Sequence, residues 1–181
     1  MLDQKELTAF NEVVLPRLDA AYNLARWLTC NDQDAENDQD AEDVVQEASL
    51  RAFRCWKGFS GGDCRAWLLA IVRNTYYSRL RQRSVQPELA ADGEVDDIDS
   101  SVTDPENAML QNANREMLKA ALEDLPMEFR EAIVLREMEG FSYKEIADIS
   151  AVPIGTVMSR LARARKRLQI SLTAAAARNY S

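Results

Sequence analysis

The sequence predicts an all-α protein in which two small helical domains are joined by a flexible acidic linker. Apolar residues recur at three- and four-residue spacing, and no stretch alternates as a half-buried strand would. The charges are also segregated. Residues 51–83 hold eight basic side chains and one acid, residues 84–107 hold eight acids and no base, and residues 149–181 hold six bases and no acid. Two basic blocks around an acidic one indicate two modules on a tether, with boundaries at 1–83, 84–107 and 108–181.

The composition excludes several classes of protein. The chain has 181 residues, 46% of them hydrophobic, which is enough for real cores. It has no histidine, and its three cysteines show no C-x-x-C spacing, so we expect no disulfide framework, no metal site, no cofactor and no catalytic activity. No apolar run reaches the roughly 18 residues that cross a bilayer, and no signal peptide is present. We therefore expect a cytoplasmic protein without stable membrane insertion.

Helical spacing begins near the N terminus and continues to about residue 83. The first apolar series consists of Leu7, Phe10, Val14, Leu18, Ala21, Ala25 and Leu28. Pro16 suits the first turn of a second helix within this series. A further helix is predicted over residues 41–56, followed by a loop at 59–63 and another helix over 64–83.

An acidic hexamer, Asn-Asp-Gln-Asp-Ala-Glu, occurs twice in succession over residues 31–42. Read as a calcium loop from Asp32, it lacks the glycine needed at position six and has Asp43 in place of glutamate at position twelve. We therefore interpret the repeat as an insertion in a tolerant loop, with Asp40 as the N-cap of the following helix. In an alternative register, Asp34 is the cap and the helix is nearly two turns longer.

The C-terminal segment contains the pattern of a helix-turn-helix. A helix from about 108 to 124 is followed by one that Pro126 opens and Gly140 ends. Residues 142–145, Ser-Tyr-Lys-Glu, form a capping box for a short helix, and after a turn at 150–152 a long basic helix opens near Pro153.

A helical wheel divides the last helix into two faces. Val157, Leu161, Ala164 and Leu168 fall within a narrow arc and should pack inward. The opposite face is polar and basic, as a major-groove reading surface requires. Its members are Thr156, Ser159, Arg160, Arg163, Lys166 and Arg167. An ordinary solvated basic face is the alternative interpretation.

Two stretches read together resemble the defining regions of extracytoplasmic-function sigma factors, the short promoter-recognition subunits of bacterial RNA polymerase. They are "DAEDVVQEASLRAFRCWKGFSGGDCRAWLLAIVRNTYYSRLRQR" and "LEDLPMEFREAIVLREMEGFSYKEIADISAVPIGTVMSRLARARKRL". The resemblance implies a subunit that binds core polymerase through its clamp helices and flap, and that directs initiation at specific promoters. The resemblance also implies a partner that regulates such a protein, an anti-sigma factor.

The resemblance assigns polymerase docking to the helix that begins near Asp43. The implied docking residues are Asp43, Gln46, Glu47 and Arg51. An exposed carboxylate and amide face suits a basic partner surface, whereas acids at a helix start also favour the helix dipole without any partner.

The loop at 59–63 and the helix after it match the region that opens and reads the minus-ten element. Gly61 and Gly62 let the backbone approach a base that has left the stack, and cations hold the freed strand. The implied residues are Gly61, Asp63, Arg65, Trp67, Arg73, Asn74, Tyr77, Arg79 and Arg81. Tyr76 could also stack on a base. Trp67 lies in an apolar run, so core packing is the stronger interpretation for it.

The resemblance also implies that the acidic linker enters the polymerase cleft, although a solubilising tether is the alternative. Met158 and Ala162 stand where many relatives carry larger or basic side chains, so the minus-thirty-five preference cannot be copied from them. The main rival function is a free-standing helix-turn-helix regulator that binds operators as a homodimer. A calcium-responsive or enzymatic protein is a weaker rival.

Overall fold

The computed structural model describes residues 3–30, 34–85 and 105–179, and these residues form helices and no strand. The all-α prediction is therefore confirmed for the described part of the chain. In chain order the α-helices are α1 Gln4–Val14, α2 Leu18–Thr29, α3 Asp34–Cys55, α4 Cys64–Val85, α5 Pro105–Glu123, α6 Met127–Ile133, α7 Tyr143–Ser150 and α8 Ile154–Asn179. The predicted linker lies mostly outside the described residues, and its first and last residues belong to α4 and α5.

The first two helices begin where local sequence signals place them. Asp3 caps α1 in a capping box with Glu6, in which each side chain accepts a hydrogen bond from the other's backbone N–H. Pro16 lies in a short 3₁₀ turn that leads directly into α2. This agrees with a second helix starting at the proline.

Helix α3 is longer than predicted. It begins at Asp34, so the preferred register, in which Asp40 caps a helix near residue 41, is wrong and the alternative register is close to the structure. Asp40 accepts two hydrogen bonds from Arg83 on α4 instead of capping α3. Alanine, glutamate and glutamine favour helix, and the acids near the helix start suit its dipole.

Helices α2, α3 and α4 pack together around small and branched apolar side chains. The buried positions on α3 are Ala41, Val44, Ala48 and Ala52, which recur at helical spacing. At one end of this bundle an aromatic cluster closes the core. Its members are Phe10, Phe53, Trp56, Phe59 and Trp67.

The C-terminal helices form a second bundle that contains the helix-turn-helix. After α6 the chain continues as a π-helical segment, Val134–Met138, and reverses at Gly140, which has a φ of 73°. Ser142 and Glu145 form the predicted capping box at the start of α7. Ala151 ends α7 in the left-handed region, with φ 53°, and sets the turn into α8.

The two bundles share one continuous core. Arg130 on α6 is buried and donates hydrogen bonds to the carbonyl oxygens of Trp27 and Cys30 at the end of α2, at 2.9 and 3.0 Å. The same guanidinium also donates to carbonyl oxygens at the end of α5 and in the turn after it. Because last-turn carbonyls of a helix have no partner within the helix, a buried arginine satisfies them and ties the bundles together.

Candidate nucleic-acid interfaces and docking surface

The long helix α8 presents the polar face that its sequence predicts. Val157, Leu161 and Ala164 are buried against the rest of the C-terminal bundle. Ser159, Arg163, Lys166 and Arg167 are exposed, whereas Thr156 and Arg160 are half-buried. The side chains therefore divide along the helix as the wheel predicts.

The cations of this face are unpaired within the described residues, with one aromatic exception. No ion pair holds Arg160, Arg163 or Lys166 in this part of the chain. The Arg167 guanidinium lies over the ring of Phe129, 5.6 Å from its centroid. Four positive side chains on one exposed helix face form a surface that can accept phosphate and base edges.

Arg165 differs from its neighbours on α8. Its Nη2 donates to Glu137 Oε1 at 2.7 Å, and hydrogen bonds to Glu137 and Tyr143 raise its pKa. Arg165 is thus tied to the π-helical segment that precedes the helix-turn-helix, away from the reading face.

The predicted docking residues lie along one stripe of α3. Gln46 is exposed, and the side chains of Asp43 and Glu47 are 41% and 37% exposed. Leu50 lies one turn beyond Gln46 and is also exposed, although it is a large apolar side chain. Leu50 was not singled out from the sequence, and its exposure next to the polar residues makes it part of the same candidate surface.

The carboxylates of this stripe are paired with arginines. Arg51 Nη2 lies 2.5 Å from Glu47 Oε1, one turn along α3. Arg79 on α4 lies between two acids, with Nη2 3.5 Å from Asp43 Oδ2 and Nη1 3.6 Å from Glu47 Oε2. The docking stripe and one of the arginines predicted to bind minus-ten DNA are therefore in contact.

The loop before α4 has the backbone geometry that its glycines allow. Gly61 and Gly62 have φ values of 90° and 102°, and a Cβ on either would meet no atom within 4 Å. Side chains are strained in this region of φ even where space is available. Asp63 caps α4, because its Oδ1 accepts from the backbone N–H of Arg65 at 2.9 Å and of Ala66 at 3.3 Å. The Asp63 carboxylate thus has a structural role that the sequence analysis did not assign to it.

Two arginines predicted to bind the minus-ten strand contact the C-terminal bundle. Arg65 Nη2 donates to the backbone oxygen of Glu139 at 2.6 Å, and its guanidinium lies 4.3 Å from the centre of the Phe141 ring. Arg73 forms an ion pair with Glu131 of α6, whose side chain is only 1% exposed. In this conformation Arg73 is largely buried in its ion pair, with 14% of its side chain exposed, whereas Arg65 keeps 38% of its side chain exposed.

Glu131 is the centre of a buried polar cluster between the bundles. Besides Arg73, it accepts hydrogen bonds from the hydroxyls of Tyr77 and Ser150, each at 3.0 Å. Burial and the neighbouring Glu131 raise the pKa of Tyr77, so the phenol remains protonated and acts as the donor. The Arg73 guanidinium lies over the Tyr77 ring, 4.5 Å from its centroid, so one face of the ring is covered in this conformation.

The remaining minus-ten candidates have different surroundings. Trp67 packs on Phe59, with ring centroids 4.8 Å apart, which favours the core interpretation. Tyr76 lies against Tyr77 and is half-buried. Asn74 and Arg81 are exposed, and no ion pair holds Arg81 within the described residues.

The acidic repeat gives no metal site among the residues whose side chains are described. No group of three or more acidic or cysteine side chains is placed there to hold a metal ion. The side chains of residues 31–37 lie outside the description, so the first copy of the repeat is not part of this finding. Among the described helices, none is long and apolar enough to cross a membrane.

Comparison with known protein families places two models on this chain. Residues 14–85 match sigma-70 region 2, and residues 115–168 match sigma-70 region 4. The first model covers the bundle with the docking stripe and the α4 arginines, and the second covers the helix-turn-helix.

Curated relatives match both halves together. The chain is 34% identical over 167 residues to the ECF RNA polymerase sigma factor SigE of Mycolicibacterium smegmatis, covering 92% of this chain and 63% of that protein. It is 37% identical to the RNA polymerase sigma-H factor of Pseudomonas aeruginosa, covering 74% of each chain. It is also 37% identical to the ECF RNA polymerase sigma-E factor of Escherichia coli K12, covering 71% of this chain and 72% of that protein.

Two solved structures share the fold over most of the chain. The sigma factor RpoE of Bartonella quintana, in complex with the anti-sigma factor NepR, superposes with a TM-score of 0.70 at 30% identity, covering 91% of this chain and 97% of that one. CnrH in complex with the cytosolic domain of CnrY superposes with a TM-score of 0.62 at 25% identity, covering 93% and 90%.

Proposed function

The chain belongs to the extracytoplasmic-function sigma factors, and we propose that it binds core RNA polymerase and directs transcription initiation at a specific set of promoters. The observation that carries this proposal is the combination, in one chain, of a region 2 bundle with an acidic docking stripe and a region 4 helix-turn-helix. A helix-turn-helix alone occurs in many regulators, whereas the two regions in this order are specific to sigma factors.

The work is divided between the two bundles. In the proposal, residues 1–83 dock on the clamp helices through the α3 stripe and hold the minus-ten strand through the loop at 59–63 and α4. Residues 108–181 contact the flap and read the minus-thirty-five element with the polar face of α8. The exposed and unpaired cations of α8 support the second assignment, because counterion release from phosphate needs accessible positive charge.

The protein itself would catalyse no reaction. Bond formation would belong to the polymerase, and this subunit would supply binding energy and sequence preference. The site of action would be the cytoplasm, where the polymerase and its template are.

An anti-sigma factor is the proposed regulator. A solved structure that shares this fold holds the sigma factor RpoE in complex with the anti-sigma factor NepR. Copurification from native cells that repeatedly yields polymerase subunits and no other protein would contradict this assignment.

Reconstituted transcription tests the proposed function. Core polymerase from the native host, with and without this protein, is given a library of genomic promoter fragments, and the transcripts are sequenced. We expect initiation at a restricted set of promoters that share spaced minus-thirty-five and minus-ten elements, and only when the protein is present.

The rival homodimeric regulator predicts a different result. It would bind duplex operators tightly without polymerase and would add no new start sites to core enzyme. Operator binding in the absence of polymerase, combined with no protein-dependent initiation, would favour that rival and contradict the sigma-factor assignment.

A further inference from the structure

Helix α4 carries its arginines on two different faces. A helix turns about 100° per residue, so Arg79 and Arg83 lie about 40° apart around the helix axis, whereas Arg79 and Arg81 lie about 160° apart. Arg79 and Arg83 both contact α3, whereas Arg81 is exposed. A single DNA strand that follows the Arg81 face would therefore not reach Arg79.

On the α3 side, arginines and carboxylates alternate along the docking stripe. Arg83 forms a bidentate pair with Asp40, with N–O distances of 2.7 and 3.2 Å. One turn away, Arg79 bridges Asp43 and Glu47, and Arg51 contacts the other oxygen of Glu47. The Arg79 side chain is 25% exposed, so it lies largely between the two helices.

We propose, on the basis of the sigma-factor function above, that Arg79 is a positioning residue for polymerase docking: it holds Asp43 and Glu47 in place and does not contact promoter DNA. Asp43 and Glu47 are four residues apart on one helix, where like charges repel each other. A guanidinium between them relieves this repulsion and fixes both side chains, while each carboxylate oxygen keeps a second lone pair for a partner. A basic partner then meets carboxylates whose rotamers are already ordered, which lowers the entropic cost of binding.

The second copy of the acidic repeat takes part in the same arrangement. Asp38 pairs with Arg26 on α2 at 3.1 Å, and Asp40 pairs with Arg83 on α4. Both acids therefore tie the added length of α3 to its neighbours on two sides. In this proposal they support the helix that carries the docking stripe.

The role of Arg79 can be tested by binding kinetics. Core polymerase is attached to a surface without DNA, and the association and dissociation rates of the full-length protein are measured. Arg79→Ala should raise the dissociation rate about threefold to tenfold, since it removes two partly exposed ion pairs. The association rate should stay the same or rise slightly, because the docking surface becomes more acidic. Arg79→Lys keeps the charge but contacts one carboxylate at a time. Its dissociation rate should therefore lie between those of the wild-type protein and Arg79→Ala.

Arg81→Ala is the matched control, because Arg81 lies on the same helix, two residues away, and is exposed. Arg81→Ala should leave the rate of dissociation from core polymerase unchanged. When enough of the variant is added to saturate core polymerase, the resulting holoenzyme should bind promoter DNA more weakly than the wild-type holoenzyme. Holoenzyme saturated with the Arg79→Ala variant should bind promoter DNA as tightly as the wild-type holoenzyme. In a background of Asp43→Ala and Glu47→Ala, Arg79→Ala should have no further effect on dissociation, because its role passes through those two carboxylates.

Three results would overturn the inference. One is a dissociation rate for Arg79→Ala equal to or below the wild-type rate. Another is a loss confined to promoter binding, as for Arg81→Ala, which would make Arg79 a DNA contact. The third is a full additional effect in the background without the carboxylates. Failure of the wild-type protein to bind core polymerase would instead contradict the proposed function, so the two failures are distinguishable.

Discussion

At the scale of single residues, the three cysteines differ in accessibility. Cys55 is exposed near the end of α3, whereas Cys30 and Cys64 are buried. The pKa of Cys30 is raised to about 11, mainly by burial and to a smaller extent by the nearby Glu123. Burial also raises the pKa of Cys64. A thiol with a raised pKa has less thiolate, which is the reactive form, at any pH below that value.

We therefore expect selective alkylation of the native protein. At pH 8 the thiolate fraction of Cys30 is about one part in a thousand, so an alkylating reagent should modify Cys55 and leave the other two largely unmodified. Mass spectrometry should find one modification per native chain and three after denaturation. Rapid modification of Cys30 in the folded protein would contradict the burial found at the junction of α2 and α6.

The residues that hold the two bundles together could not have been chosen from the sequence. Arg130 and Glu131 are adjacent charged residues in an amphipathic stretch, where exposed positions are the usual expectation. In the structure both are buried, and their partners in the other bundle lie 54 to 103 residues away along the chain. No local spacing signals such pairs, because they depend on how the bundles meet.

At the scale of helices, the sequence predicts an element correctly where neighbouring residues determine that element. The capping box before α7 and the apolar arc of α8 were predicted correctly, because both are set by neighbouring residues. The start of α3 was predicted wrongly, because the acids of the repeat suit a helix start in two registers. Ion pairs with α2 and α4 accompany the longer helix in the structure.

The site residues show the same limit. Residue type and order predicted a docking stripe on α3 and a reading face on α8, and both roles stay predictions. The sequence did not reveal that Arg79 faces α3, that Arg65 and Arg73 contact the C-terminal bundle, or that Asp63 is a helix cap. These facts depend on the contacts of each side chain, which composition does not specify.

Mutations in helix α8 can separate contacts that select base sequence from contacts that contribute only to affinity. Arg160→Ala and Arg163→Ala should change which minus-thirty-five sequences are used, with a cost of about 1–3 kcal/mol where the arginine contacts a guanine. Arg165→Ala should lower promoter use evenly and modestly, because Arg165 is tied to Glu137 away from the reading face. Transcription of a promoter-variant library with each mutant holoenzyme measures both effects. An altered base preference for Arg165→Ala, with only lower overall activity for the other two, would require the reading face of α8 to be redrawn.

At the scale of the whole molecule, the two surfaces that we propose bind DNA differ in their exposure to solvent. The α8 face is open to solvent, whereas Arg73 is largely covered by the C-terminal bundle and Arg65 is bonded to it with 38% of its side chain still exposed. Both faces must be free for a sigma factor to read two promoter elements at once. We therefore expect the bundles to be apart in the conformation that reads a promoter, and polymerase binding to stabilise that conformation.

The junction between the bundles is suited to such a change. Much of it consists of charged and polar contacts, centred on Glu131, Glu139 and Arg130. Polar groups can exchange these partners for water or for a binding partner, which offsets part of the cost of exposing the apolar core that the two bundles share. A partner that binds only the separated form would shift the population towards it by its differential affinity.

The distance between the bundles, measured in the free protein and in complex with core polymerase, tests this claim most directly. One label goes on the native Cys55, which is exposed, and the other on Met158→Cys, an exposed position of α8 away from the reading face. Cys30 and Cys64 are buried and remain unlabelled. Spin-label or fluorescence distances should show one short separation in the free protein, and an increase greater than the width of a helix, about 10 Å, in a holoenzyme that transcribes its promoter. An unchanged distance in a transcriptionally active complex would contradict the claim that the bundles separate.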